Sequence, residues 1–138
     1  MTGTTRIAAL RYALIVTGAI FIVGIYTLAQ IWPTGWTWGV GHSHFWPMIL
    51  GVYATLGVFL IRASRDPLGN RSLIWFTVWS SVVHAVIMTL QGFADPAERG
   101  HLVGDVPALL LVAALLAFLT RRAATSSQVT SLGARRVA

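Results

Sequence analysis

RSLIWFTVWSSVVHAVIMTLQ, residues Arg71 to Gln91, is long and apolar enough to cross a bilayer, yet carries a histidine, His84, near its middle. On a helical wheel Thr77, Ser81, His84, Met88 and Gln91 recur at intervals of four, three, four and three, with Ser80 beside them. That spacing holds them on one stripe, and Ile74, Val78, Val82, Val86 and Leu90 spread elsewhere. Polar groups in hydrocarbon are costly unless they face protein or trapped water. The stripe is therefore expected to point inward, with the remaining helices packed around it.

Composition says the same of the whole chain. Its 138 residues are 56% hydrophobic and 10% charged, against about 25% charged in soluble proteins. This is the balance of an integral membrane protein of one compact domain. The formal charge is +6, and every basic residue is arginine. The arginines flank apolar runs rather than lining a soluble face, which points to anchoring at a lipid surface and away from nucleic acid. The absence of cysteine excludes disulfides, thiolate metal sites and cysteine catalysis. The absence of lysine excludes Schiff-base and P-loop chemistry.

Outward from the central stretch, three more spans are predicted, giving spans at about 12–32, 45–61, 73–91 and 105–120. The first is 21 residues without a formal charge, or about 31 Å as helix. It is longer than the apolar core of a signal peptide, about 7–15 residues, and is read as a retained helix. The second accommodates Pro47 in its first turn and offers Gly51, Ala54, Thr55 and Gly57 for close backbone approach. The fourth begins with Asp105 as a helix cap and Pro107 just inside. Trp32, Trp36, Trp38 and Trp46 bracket a glycine-rich loop and are expected at the membrane interface. Residues 123–138 are read as a basic, disordered tail behind a single domain, 1–122.

Nine arginines (positions 6, 11, 62, 65, 71, 121, 122, 135 and 136) fall in the N-terminus, the second connector and the tail. Arg99 and three of the four acids fall in the other two loops. By the positive-inside rule both termini are cytoplasmic. The expected fold is all-α: a four-helix transmembrane bundle, up-down-up-down.

Three stretches, GVYATLGVFL (51–60), NRSLIWFTVWSSVVHA (70–85) and HLVGDVPALLLVAALLA (101–117), resemble a family of small bacterial four-helix membrane proteins classed as a domain of unknown function. The resemblance runs from about Tyr12 to Arg122. It implies the bundle and a bacterial cytoplasmic membrane, and it places His84, His101 and Asp105 in the recognisable segments. It implies no activity.

Two constellations could carry chemistry. His84, with Ser81, Met88, Gln91 and Asp105, would outline a polar pocket near the outer end of the bundle, suited to haem, a quinone or an isoprenoid lipid. The plainer reading is that His84 holds two helices in register. His42, His44 and His101 are nitrogen ligands of a kind that suits a divalent metal, although their spacing matches no metal motif. No serine nucleophile motif or intramembrane carboxylate pair supports hydrolysis, although His84 could act as an acid or base on a bound lipid. The leading expectation is a non-catalytic accessory, scaffold or partner-binding component that packs against lipid, other membrane subunits or copies of itself. The alternative is a haem-, quinone- or isoprenoid-binding protein using His84 and the outer mouth.

Overall fold

The computed structural model describes residues 3–33 and 45–137, with side chains described over 3–33 and 46–125. Among the described residues there are four long helices and no strand: α1 (Gly3–Ile31), α2 (Phe45–Ala63), α3 (Arg71–Ala94) and α4 (Asp105–Val137). Each contains a stretch long and apolar enough to span a membrane. A 3-10 segment, Pro96–Leu102, joins α3 to α4. Proline sets two of the ends. Trp32 precedes Pro33 and Asp95 precedes Pro96, and both leave the helical region, as residues before proline are pushed to do.

One core cluster gathers Leu10 near the start of α1, Ala63 at the end of α2, Ile74 near the start of α3 and Ala123 late in α4. These positions share one end of the molecule only if the helices alternate up and down, so the chain is the expected antiparallel bundle. Arg11 Nη2 donates to the carbonyl of Arg65 at 3.2 Å, tying the N-terminal turn to the second connector. At the same end Arg121 lies over Trp75 and Arg122 over Phe118, with guanidinium carbons 5.5 Å and 4.4 Å from the ring centres. Such stacking suits arginine at a lipid–water boundary.

Around the bundle the order is α2, α1, α4, α3, and α2 and α3 hardly touch. The reason lies in two glycines. A Cβ on Gly18 would stand 2.6 Å from the carbonyl oxygen of Gly57, and one on Gly57 would stand 2.5 Å from that of Gly18. Only bare backbones approach this closely, so α2 is drawn onto α1 and away from α3. Of the small residues expected to serve packing, Gly57 does so at this crossing, whereas Gly51 has nothing near it.

Several expectations change. α1 starts at Gly3, well before residue 12, because the Ala-rich segment around Arg6 and Arg11 extends the helix. The backbone of α4 continues to Val137, so the segment expected to be a disordered tail is helical; it contains no proline. The buried face of α3 is Ile74, Thr77, Val78, Ser81, Ala85, Met88 and Gly92. Thr77, Ser81 and Met88 thus point inward as expected, but Ile74 and Val78 join them and Gln91 is exposed. The face turns this way because α4 covers it, rather than three helices closing around it.

Candidate functional site

Tyr53, at the third turn of α2, reaches across the gap that the Gly18–Gly57 crossing opens. Its phenol oxygen lies 2.8 Å from Nδ1 of His84. A tyrosine whose ring is apolar and whose hydroxyl must find a partner suits this place. Phe21 of α1 meets the other side of the Tyr53 ring edge-on, at 5.0 Å between centres. Phe21 lies in a π-helical turn, Ile20–Gly24, that interrupts α1 at this depth. Wider turns of this kind re-aim side chains and recur at functional sites.

Behind the Tyr53–His84 pair is a cavity of about 60 Å³ shared by all four helices. One water needs about 10–15 Å³ on this measure, so the space can hold a small group. Its walls are mostly apolar, with Ile20, Phe21, Ile49 and Leu109 among them, and its polar members are Tyr53, His84 and Asp105. Trp46 also lines it, so one tryptophan assigned to the interface belongs to the site as well. On the outer flank a cleft of about 410 Å³ runs between α2 and α3, past Met48, Val52 and Phe76, and shares Ile49, Tyr53 and His84 with the inner cavity. A third hollow, of about 650 Å³, follows the exposed face of α3 past His84, Met88 and Gln91 to Glu98. His84 therefore borders all three.

Asp105 connects the inner cavity to a polar cluster on the 3-10 segment. The 3-10 segment folds down on α3 at Gly92, where a Cβ would stand 2.9 Å from Leu102 Cγ. Asp95 starts the segment by accepting from the Ala97 amide at 2.8 Å. This fold buries His101 to 1% exposure. Its Nδ1 is hydrogen-bonded to Oδ2 of Asp105 at 3.0 Å. Its Nε2 lies 2.9 Å from Oε2 of Glu98, an ion-pair contact rather than an aligned hydrogen bond. Asp105 is 9% exposed, and its Oδ1 has no hydrogen-bond partner among the described residues.

The residues singled out in the sequence thus separate. His84 and Asp105 meet at one cavity, as expected, but Gln91 is excluded from it and lines the outer hollow instead. Met88 is buried against Ala85, Val106 and Leu109 as packing, and it borders the same outer hollow. Ser81 is buried. Thr77 and Thr89 satisfy their hydroxyls on carbonyls of their own helix, those of Leu73 and Ala85. His101 has a carboxylate oxygen within 3.0 Å of each ring nitrogen, so both nitrogens a metal would need already face a partner. No group of three metal-ligating side chains stands together among the described residues. His42, His44, Trp36 and Trp38 lie outside the described residues, and Trp32 is exposed at the end of α1. Tyr53 went unnoticed in the sequence; the available signal was a lone phenol in the middle of an apolar span.

A search of curated proteins returns no match, and neither does a search of solved structures. A family model does match, over residues 4–136, and by it the chain belongs to a family of unknown function, DUF6632.

Proposed function

We propose that this membrane protein is a non-catalytic binding component for a lipid of isoprenoid type, whose apolar tail lies in the α2–α3 cleft and whose head group sits in the inner cavity. The observation that carries the reading is the Tyr53–His84 pair, which stands between a lipid-facing cleft and an apolar pocket with a polar end. Ligand pockets are mostly apolar with a few placed polar groups, and this one has that character. Haem, the other ligand class raised by His84, would need a second axial ligand at the same depth, and no other histidine lines the three hollows that His84 borders among the described residues. The accessory role read from the sequence is compatible, because neither requires chemistry on the ligand.

The arginine-rich end is assigned to the cytoplasm and the cavity to the outer half of a bacterial cytoplasmic membrane. The exposed apolar faces of α2 and α3, with Val52 and Trp79, are assigned to lipid, a second copy or another membrane subunit. The test is to purify the chain in mild detergent, extract it with organic solvent and compare its lipids by mass spectrometry with those of the parent membrane. An isoprenoid lipid at near one equivalent, reduced in Tyr53→Phe and His84→Phe, is the expected result. A lipid profile equal to that of the membrane overturns the reading. A Soret band in the visible spectrum would replace it with haem.

A further inference from the structure

His84 borders a space that the lipid-binding reading leaves unused: the hollow of about 650 Å³ along the exposed side of α3. Where one water needs about 10–15 Å³, this is room for many. Its lining is graded. Ser80 and His84 stand at the deep end, Ile87 and Met88 follow, and Gln91, Asp95 and Glu98 stand toward the end away from the arginines. At the deep end Ser80 Oγ donates to the carbonyl of Thr77 at 3.2 Å. At the mouth the exposed Asp95 accepts from the Ala97 amide at 2.8 Å. From His84 to Asp95 the helix rises about 16 Å, so the hollow reaches about halfway into a hydrocarbon layer of about 30 Å.

The hollow and the α2–α3 cleft suit different contents. Met48, Val52, Leu56 and Phe76 make the cleft a place for hydrocarbon. In the hollow, an acyl chain would lie against the Gln91 amide and the Glu98 carboxylate and offer them neither donor nor acceptor. Polar groups at such depth are costly unless water or protein meets them. Water can enter at Asp95 and follow the polar residues inward. His84 is half-buried rather than sealed, so its side chain keeps surface for that water to touch.

We infer that the α3 hollow is a water-filled inlet through which His84 exchanges protons with the solution at the end of the bundle away from the arginines. An imidazole is suited to that exchange. The inlet supplies the Tyr53–His84 pair with protons by a route separate from the lipid-facing cleft. The groups with charge or titratable protons around His84 among the described residues are Tyr53 on α2, Asp105 on α4, Glu98 and His101 on the 3-10 segment, and Asp95 at the mouth; α1 brings the apolar Ile20, Phe21 and Ile25 to this depth. The inlet does not depend on which ligand occupies the inner cavity.

The chain has no cysteine, so single cysteines can report on the hollow. Val83 and Ile87 line it, whereas Val86, between them in sequence, lines none of the three spaces that His84 borders, and all three are at least half exposed. The full chain in phosphatidylcholine nanodiscs, open to solution on both faces, is treated with a trimethylammonium methanethiosulfonate reagent, which is confined to water, and labelling is followed by intact mass. Val83→Cys and Ile87→Cys are expected to label at least about tenfold faster than Val86→Cys, although Val83 lies about 4.5 Å deeper than Val86. The second readout is magnetic resonance of the chain with isotope-labelled histidine, the His84 signal being identified by its loss in His84→Phe. Transfer of magnetisation from mobile water to that signal is expected. Equal labelling at the three positions, or faster labelling at Val86, overturns the inlet. Labelling of the hollow without water transfer to His84 overturns the proton exchange. Neither readout involves a bound lipid, so the isoprenoid reading stands or falls separately.

Discussion

The phenol oxygen of Tyr53 and Nδ1 of His84 stand 2.8 Å apart, a polar tie across two helices that otherwise barely meet. Hydrogen bonds between membrane helices average about 0.6 kcal/mol by double-mutant cycles and reach about 1.7. Tyr53→Phe and His84→Phe are each expected to destabilise the bundle by an amount in that range. Their effects should be non-additive, since each removes the same bond. Unfolding of the single and double variants in a mild detergent measures this. Additive losses would mean that the two side chains act separately.

The crossing of α1 and α2 makes a sharper prediction, because the structure supplies its own control. Gly18→Ala or Gly57→Ala places a methyl group against a backbone carbonyl, and neither helix can yield without moving whole. Overpacking of this kind costs about 1–3 kcal/mol. Gly51→Ala, on the same helix as Gly57 but with open space around it, should be neutral or slightly stabilising. Equal effects at Gly51 and Gly57 in an unfolding assay would be incompatible with the packing described.

His101 sits between two carboxylates with almost no exposure. Replacing it with phenylalanine removes the hydrogen-bond partner of the buried Asp105 carboxyl. Leaving a buried polar group without its partner costs about 1–3 kcal/mol. Glu98→Gln should cost less, because the Glu98 side chain is 24% exposed and water can serve it. The ratio of the two losses, from denaturant titrations in detergent, checks the assignment; a larger loss at Glu98 would reverse it.

Gly92 lets the 3-10 segment settle onto α3, with Leu102 Cγ and the carbonyl oxygen of Glu98 both close to where a Cβ would stand. Gly92→Val should lift the segment and speed amide exchange over residues 96–102, while the α1–α2 crossing stays protected. Hydrogen exchange read by mass spectrometry distinguishes this from general loosening, in which peptides around Gly18 and Gly57 would exchange faster too.

Orientation is tested independently. A fluorescent protein fused after Ala138 should fold and fluoresce, and alkaline phosphatase at the same point should be inactive, if the arginine-rich end faces the cytoplasm. The opposite pair of results would place the cavity on the cytoplasmic side.

What the residues alone determined about this protein is whatever depends on transfer of side chains between water and hydrocarbon. Spans, their number, their alternation and the gathering of arginine at one end all follow from runs of apolar residues and the charges between them. The inward turn of Thr77, Ser81 and Met88 was legible for the same reason, as was the meeting of His84 with Asp105, since both lie toward the same end of the bundle. Tertiary structure decided which helix lies beside which. Two glycines on different spans, Gly18 and Gly57, pull α2 onto α1, and no periodicity within either helix encodes that meeting. From it follow the cleft between α2 and α3, the place of Tyr53 opposite His84, and the exclusion of Gln91 from the cavity. The burial of His101 likewise depended on a 3-10 segment folding back on Gly92, a contact between residues whose sequence reads only as a polar loop. Hydropathy acts on each residue singly, whereas packing is a property of pairs that only the folded chain brings together.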